Sequence, residues 1–193
     1  MKSIVVFCGS AQGNNSIYKD AARVLGATLA QAGIKLVYGG AKVGLMGTVA
    51  DAAIEAGGEV IGVIPEFLRT KEVAHEALTE LIVVDNMHER KLKMHELSDG
   101  IIALPGGWGT MEELFEMLTW AQLGLHNKPV GLLNINGYYN ALAALCDTMV
   151  SEGFLPADVR GMLLSSDDAN ELLAKMHDYV PISTPKWITG KTT

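Results

Sequence analysis

The residues best equipped to do chemistry lie in one short run, Pro105-Gly106-Gly107-Trp108-Gly109-Thr110-Met111-Glu112-Glu113. Glycines let main-chain N–H groups approach an oxyanion without a Cβ in the way, and the first amides of a helix have no intrahelical partner. The run therefore describes an anion cradle, suited to a phosphate, beside a carboxylate that can serve as a catalytic acid. A second cluster, Met87-His88-Glu89-Arg90-Lys91-Leu92-Lys93-Met94, carries the densest positive charge of the chain. From the end of a strand, Arg90 could clamp a phosphate or ribose hydroxyls through its planar fork. Each feature also has a plainer explanation. Thr110-x-x-Glu113 fits a capping box at a helix start, and a run of charges is commonly a solvated helix face.

The elements that must position these groups alternate along the chain. Short apolar runs at Ile4 to Cys8, Leu36 to Tyr38, Val60 to Ile64, Leu81 to Val84, Ile101 to Leu104 and Val130 to Leu133 have the character of buried parallel strands. Between and after them, helical periodicity runs over Ile17 to Gln31, Thr48 to Ala56, His88 to Leu97, Thr110 to Gln122, Tyr139 to Glu152 and Asp168 to Tyr179. The alternation predicts an α/β fold, a Rossmann-like doubly wound parallel sheet forming a single domain over residues 1–180, with a tail over 181–193. Ligands of such sheets bind beyond the carboxyl ends of the strands. Gly9-Ser10 follow the first strand, Gly39-Gly40 with Gly44 the second, and Gly106-Gly107 the fifth. Three glycine-rich turns at one sheet edge predict a composite site that includes Gly9, Ser10, Gly39, Gly40, Gly44 and Met46. On the helix after Thr110, Met111, Leu114, Phe115 and Leu118 form an apolar stripe with Glu113 about opposite it. Met117 and Trp120 make the same helix apolar on most sides, which fits either a central core helix or a helix shared with a second subunit.

Composition narrows the function classes. With 49% hydrophobic residues in 193, the chain can bury a substantial core, and its formal charge of −7 opposes general nucleic-acid binding. Cys8 and Cys146 are far apart and without metal spacing, so free thiols in a reducing cytoplasm are expected. The first apolar run is too short for a signal peptide, and none reaches the roughly 18 residues of a membrane span. No G-x-G-x-x-G follows the first strand, Leu45 stands where a Walker A motif needs lysine, and neither G-x-S-x-G nor H-E-x-x-H occurs. The five histidines are scattered; His88 and His95 can share a helix face without a third ligand, so no metal is expected.

Taken together, the Pro105 to Glu113 run, Met87-His88-Glu89-Arg90-Lys91, and Tyr38-Gly39-Gly40 with Gly44-Leu45-Met46-Gly47 closely resemble the LONELY GUY family. Its members are cytokinin riboside 5′-monophosphate phosphoribohydrolases, long mislabelled lysine decarboxylases. The likeness extends from Cys8-Gly9-Ser10 to Thr119-Trp120-Ala121-Gln122. It implies a Rossmann-like fold, a homodimer, no cofactor, and cleavage of an adenine-type nucleoside 5′-monophosphate to free base and ribose 5-phosphate. By the same resemblance, Arg90 and Glu113 are the catalytic pair. Nucleotide contacts fall on Lys91, Gly106, Gly107, Trp108, Gly109, Thr110, Met111, Glu112 and Thr119, and a further one on Glu72. Ala41 stands where many members extend the glycine run, and Trp108 where tyrosine is frequent. A decarboxylase would need a Schiff-base lysine with a partner for the pyridinium nitrogen, and the sequence signals neither.

Overall fold

The structure is a computed structural model that describes residues 1–69 and 74–182. Its elements run β1 (Ser3–Phe7), α1 (Ser16–Gln31), β2 (Lys35–Tyr38), α2 (Gly44–Glu55), β3 (Val60–Pro65), α3 (Glu66–Arg69), β4 (Glu80–Val84), α4 (Met87–Glu96), β5 (Gly100–Ala103), α5 (Trp108–Gln122), β6 (Val130–Leu133), α6 (Asn140–Ser151), α7 (Ala157–Arg160), β7 (Leu163–Ser166) and α8 (Ala169–His177). All strands are parallel, in the order β4-β3-β2-β1-β5-β6-β7.

Alternation in β1 shows how the sheet divides the core. Ile4 and Val6 pack with Leu25 of α1, Val49 of α2 and Leu172 of α8. Val5 and Phe7 point to the other side, against Met94 of α4 and Leu114 and Met117 of α5. Both faces are thus covered by helices, which is why the strands read as unbroken apolar runs. Full burial of such side chains stabilises the fold by about 1.5–3 kcal/mol each. On the first side, α1 and α2 approach until a Cβ on Gly26 would collide with the carbonyl of Val49. Glycine at 26 is therefore a packing requirement.

The order of connections reverses between β1 and β5. From β1 the chain winds outward through β2, β3 and β4, then returns to β5 and winds the other way. Register places Phe7 of β1 opposite Ala103 of β5, so the turns after these two strands begin side by side. Leu104 N donates to Phe7 O at 2.9 Å, and Gly9 N donates to Pro105 O at 3.1 Å. The turn after β2 locks against them: Leu45 N donates to Gly9 O at 3.0 Å. At Gly44, φ is +61° and a Cβ would strike the main chain of Ser10 and Ala11. The three glycine turns therefore form one packed surface at the switch point, where a doubly wound sheet binds its ligand.

Two helix starts fall two or more residues before the sequence expectation. α2 begins at Gly44 instead of Thr48, and α5 at Trp108 instead of Thr110. Glycine's poor helix propensity argues for a loop at both, but packing of the first turn against neighbouring turns overrides it. β7, α3 and α7 were not expected. β7 is a four-residue edge strand with two serines, and the two helices are single turns. Of the tail, residues 183–193 lie outside the described structure.

Candidate active site

The turn before α5 builds an anion cradle from main-chain geometry. Gly107 is the N-cap in an extended conformation, without a side-chain cap, and the first intrahelical bond is Met111 N to Gly107 O at 3.1 Å. The amides of Gly107, Trp108, Gly109 and Thr110 therefore precede the helical ladder and are available to an anion. This overturns the capping box, because Thr110 is already in the third helical position. Its side chain is 4% exposed, and a Cβ on Gly106 would collide with its Oγ1. Glycine at 106 lets the threonine fold back beneath the turn.

Glu113 lies in the second turn of α5 and is half-buried. The buried stripe consists of Thr110, Leu114, Met117 and Ala121. At 100° per residue Glu113 lies about 40° from Met117 and about 60° from Thr110. It is therefore at the edge of the buried stripe, not opposite it, because the stripe is rotated from the Met111-Leu118 line expected. Met117 is fully buried within its own chain, which removes it as an interface residue. Trp120 packs edge-on against His95 of α4, ring centroids 5.4 Å apart.

Arg90 reaches the same place from α4. Asn86 caps that helix, accepting from Glu89 N at 3.0 Å, while Glu89 returns to Asp85 N at 3.1 Å. Reciprocal capping of this kind holds the first turn rigid. Arg90 then extends over the sheet edge, 5% exposed. Its Nε donates to Val63 O at 3.1 Å and its Nη2 to Gly39 O at 2.7 Å. The guanidinium thus ties the carboxyl ends of β3 and β2 together. Cys8 lines the same cavity as Arg90 and Glu113. Burial pushes the Cys8 thiol far up, the negative field of Glu113 adds to this, and the positive field of Arg90 opposes it. The thiol is uncharged at physiological pH, hence no nucleophile.

A cavity of about 260 Å³ joins these groups. Of the residues expected in the site, Gly9, Ser10, Gly39, Met46, Arg90, Gly107, Trp108, Gly109, Thr110 and Glu113 line it. Cys8, Leu68 and Met87 line it too. Leu68 follows β3 in a segment with no glycine signature, so sequence patterning could not flag it. Trp108 stands at the rim, 92% exposed. The remaining expected residues lie elsewhere. Gly40, with φ +76°, packs against Ile64 and Leu81. Gly44 packs on Ser10 and Ala11 and Gly106 on Thr110, and half-buried Met111 packs against the core. Lys91 is buried and paired with Glu112 and with Glu116, the latter at 3.1 Å. Burial pulls its ammonium down, but the two carboxylates outweigh this and its pKa lies above the ordinary lysine value. A lysine so held is the opposite of an amine activated for Schiff-base chemistry. Thr119 lies nine residues beyond Thr110, about 13.5 Å along the helix, on a separate groove. Glu72 falls outside the described residues.

A parallel sheet whose glycine turns, a buried guanidinium and a carboxylate meet at its switch point defines a Rossmann-like protein. Residues 46–176 match the family model described as "Possible lysine decarboxylase". The chain is 52% identical over 180 residues to the Arabidopsis thaliana cytokinin riboside 5′-monophosphate phosphoribohydrolase LOG1, covering 93% of this chain and 84% of that one. The enzyme of the same name, LOG, from Oryza sativa subsp. japonica is 51% identical over 180 residues, covering 93% and 74%. Among solved structures, the molybdenum cofactor binding protein of Rippkaea orientalis superposes with a TM-score of 0.67 at 22% identity, covering 92% of this chain and 96% of that one. The molybdenum cofactor carrier protein of Chlamydomonas reinhardtii gives 0.66 at 22%, covering 92% and 97%. At that identity the likeness is one of fold. The chain belongs to the LONELY GUY family of phosphoribohydrolases.

Proposed function

We propose that this chain hydrolyses the N-glycosidic bond of an adenine-type nucleoside 5′-monophosphate, a cytokinin riboside 5′-monophosphate or AMP, to free base and ribose 5-phosphate. The observation that carries the proposal is that Arg90 and Glu113, from different helices, line one cavity with the glycine cradle. The amides of Gly107, Trp108, Gly109 and Thr110 hold the 5′-phosphate, which orients the ribose toward Arg90 and Glu113. As the C1′–N bond lengthens, positive charge develops on the ribose ring, and the Glu113 carboxylate stabilises it. Water adds to C1′ and the base departs with a proton. Leu68, Met46, Met87 and Trp108 give the cavity an apolar side suited to the base.

Proteins that carry the molybdenum cofactor share the fold, yet a carrier has no use for a carboxylate set beside a guanidinium in its pocket. Incubation with AMP and with N6-isopentenyladenosine 5′-monophosphate, followed by chromatography for free base, separates the two. Base release is expected; tight binding without release would make the chain a carrier.

The working unit in this proposal is a homodimer. Phe115, Leu118, Met149 and Phe154 line an apolar groove, with Phe154 85% exposed, and a second copy would cover it. Thr119 lies on this groove, so a nucleotide contact through it requires the partner subunit. The net charge of −7 favours a small ligand over nucleic acid as partner. Buried, free Cys8 and Cys146 support a cytoplasmic setting, and no helix among the described residues is long and apolar enough to cross a membrane.

A further inference from the structure

Three consecutive carbonyls in the turn before α5 are each taken by a donor from elsewhere in the fold. Leu104 O accepts from the Tyr139 hydroxyl at 2.6 Å, and Gly106 O from the Tyr138 hydroxyl at 2.6 Å. Between them, Pro105 O accepts from Gly9 N at 3.1 Å. In a planar trans peptide the C=O of one residue and the N–H of the next point in opposite directions. Tying Pro105 O to Gly9 therefore turns the Gly106 N–H away from β1. Tying Gly106 O to Tyr138 likewise turns the Gly107 N–H away from the tyrosine. The third tie differs: the residue after Leu104 is proline, so the Tyr139 bond has no amide to aim.

The connection between β6 and α6 is built to present these two phenols. Asn134 N donates to Ser166 O at 2.8 Å, anchoring the connection to β7. The Asn134 carboxamide accepts from Tyr139 N at 2.7 Å and donates to Asn140 Oδ1 at 2.8 Å. Between them the chain reverses through left-handed Asn136 (φ 53°) and Gly137 (φ 67°). The Tyr138 ring is then held edge-on by Tyr18 at 5.9 Å and Tyr139 at 5.0 Å. Tyr139 is 1% exposed and belongs to the core, whereas Tyr138 is 42% exposed and is not among the residues lining the cavity.

We infer that Tyr138 is a positioning residue for the ligand's phosphate: through the Gly106 carbonyl, its hydroxyl aims the Gly107 amide into the cradle. The inference rests on the proposal that the cradle holds a 5′-phosphate. Tyr138→Phe keeps the ring contacts and removes only the donor. The test compares steady-state kinetics on N6-isopentenyladenosine 5′-monophosphate and on its nucleoside, with thermal melting of each protein. A net hydrogen bond of ordinary strength corresponds to about a fivefold effect. Tyr138→Phe is therefore expected to raise KM for the monophosphate about fivefold, with kcat within about twofold and nucleoside kcat/KM unchanged. Tyr139→Phe, which orphans a buried carbonyl, is expected to lower Tm without changing the monophosphate-to-nucleoside ratio. An unchanged monophosphate KM in Tyr138→Phe, an equal loss on both substrates, or a Tm fall matching that of Tyr139→Phe would each overturn the inference alone. A wild-type protein with no preference for the monophosphate would overturn the phosphate proposal itself, and the inference with it.

Discussion

Gly39 offers a way to displace Arg90 without touching it. A Cβ at Gly39 would run into Arg90 Nη2, with Met46 Sδ at 3.1 Å and Arg90 Cζ at 3.2 Å. The Gly39 main chain has no positive φ, so alanine there brings no backbone strain. The methyl must push the guanidinium away by about 1 Å or more, which stretches its 2.7 Å bond to Gly39 O past the roughly 3.5 Å limit of a real hydrogen bond. A bond from a charged donor is worth about 1.5–3 kcal/mol net. If that anchoring aligns Arg90 with the ribose phosphate, its loss lowers kcat/KM by about 10- to 150-fold, at about 1.36 kcal/mol per decade. The assay is release of free base from N6-isopentenyladenosine 5′-monophosphate, with Arg90→Ala measured alongside. Gly39→Ala should fall in that range while remaining folded, and Arg90→Ala should fall at least as far. Full activity in Gly39→Ala would refute the reasoning, since it would mean that Arg90 works without the anchor the fold provides.

Three further outcomes follow from the same geometry. Glu113→Gln should lower kcat by at least about 100-fold, the low end for loss of a positioned acid or base, with nucleotide affinity by calorimetry changing little; near-normal turnover would leave Glu113 without a catalytic role. Burial pushes His95 down to about 4, with Lys128 and His126 adding to the effect. A depressed histidine contributes stability that is complete above the ordinary value near 6.5 and is lost as pH falls toward 4, so Tm should decline across that window and His95→Phe should flatten the decline. Phe154→Glu should convert the dimer to monomers in light scattering; a wild-type monomer at micromolar concentration would remove the dimer from the proposal.

The doubly wound sheet was legible because its central strands β1, β2, β3, β5 and β6 are buried on both faces and helical periodicity runs between them. What sequence periodicity missed is short or set by tertiary contact. β7 is an edge strand with two serines, and the starts of α2 and α5 are decided by packing against Ser10 and Gly106. The same limit applies to the site. Glycine turns after β1, β2 and β5 pointed to one composite surface, since only a few residue types allow a main chain to come so close to its neighbours. The motif could not reveal that Lys91 is occupied by Glu112 and Glu116, that Thr119 lies on another groove, or that Glu113 sits beside the buried stripe. Nor could it show the tyrosine pair, because Tyr138 and Tyr139 lie more than thirty residues from the carbonyls they hold. Contacts of that kind exist only once β6 lies beside β5.

The most direct measurement is a crystal structure of the Glu113→Gln protein with N6-isopentenyladenosine 5′-monophosphate bound. The phosphate should accept hydrogen bonds from the Gly107 to Thr110 amides, with C1′ of the ribose between Arg90 and residue 113. A phosphate bound away from that turn, or a ribose out of reach of both side chains, would contradict the account.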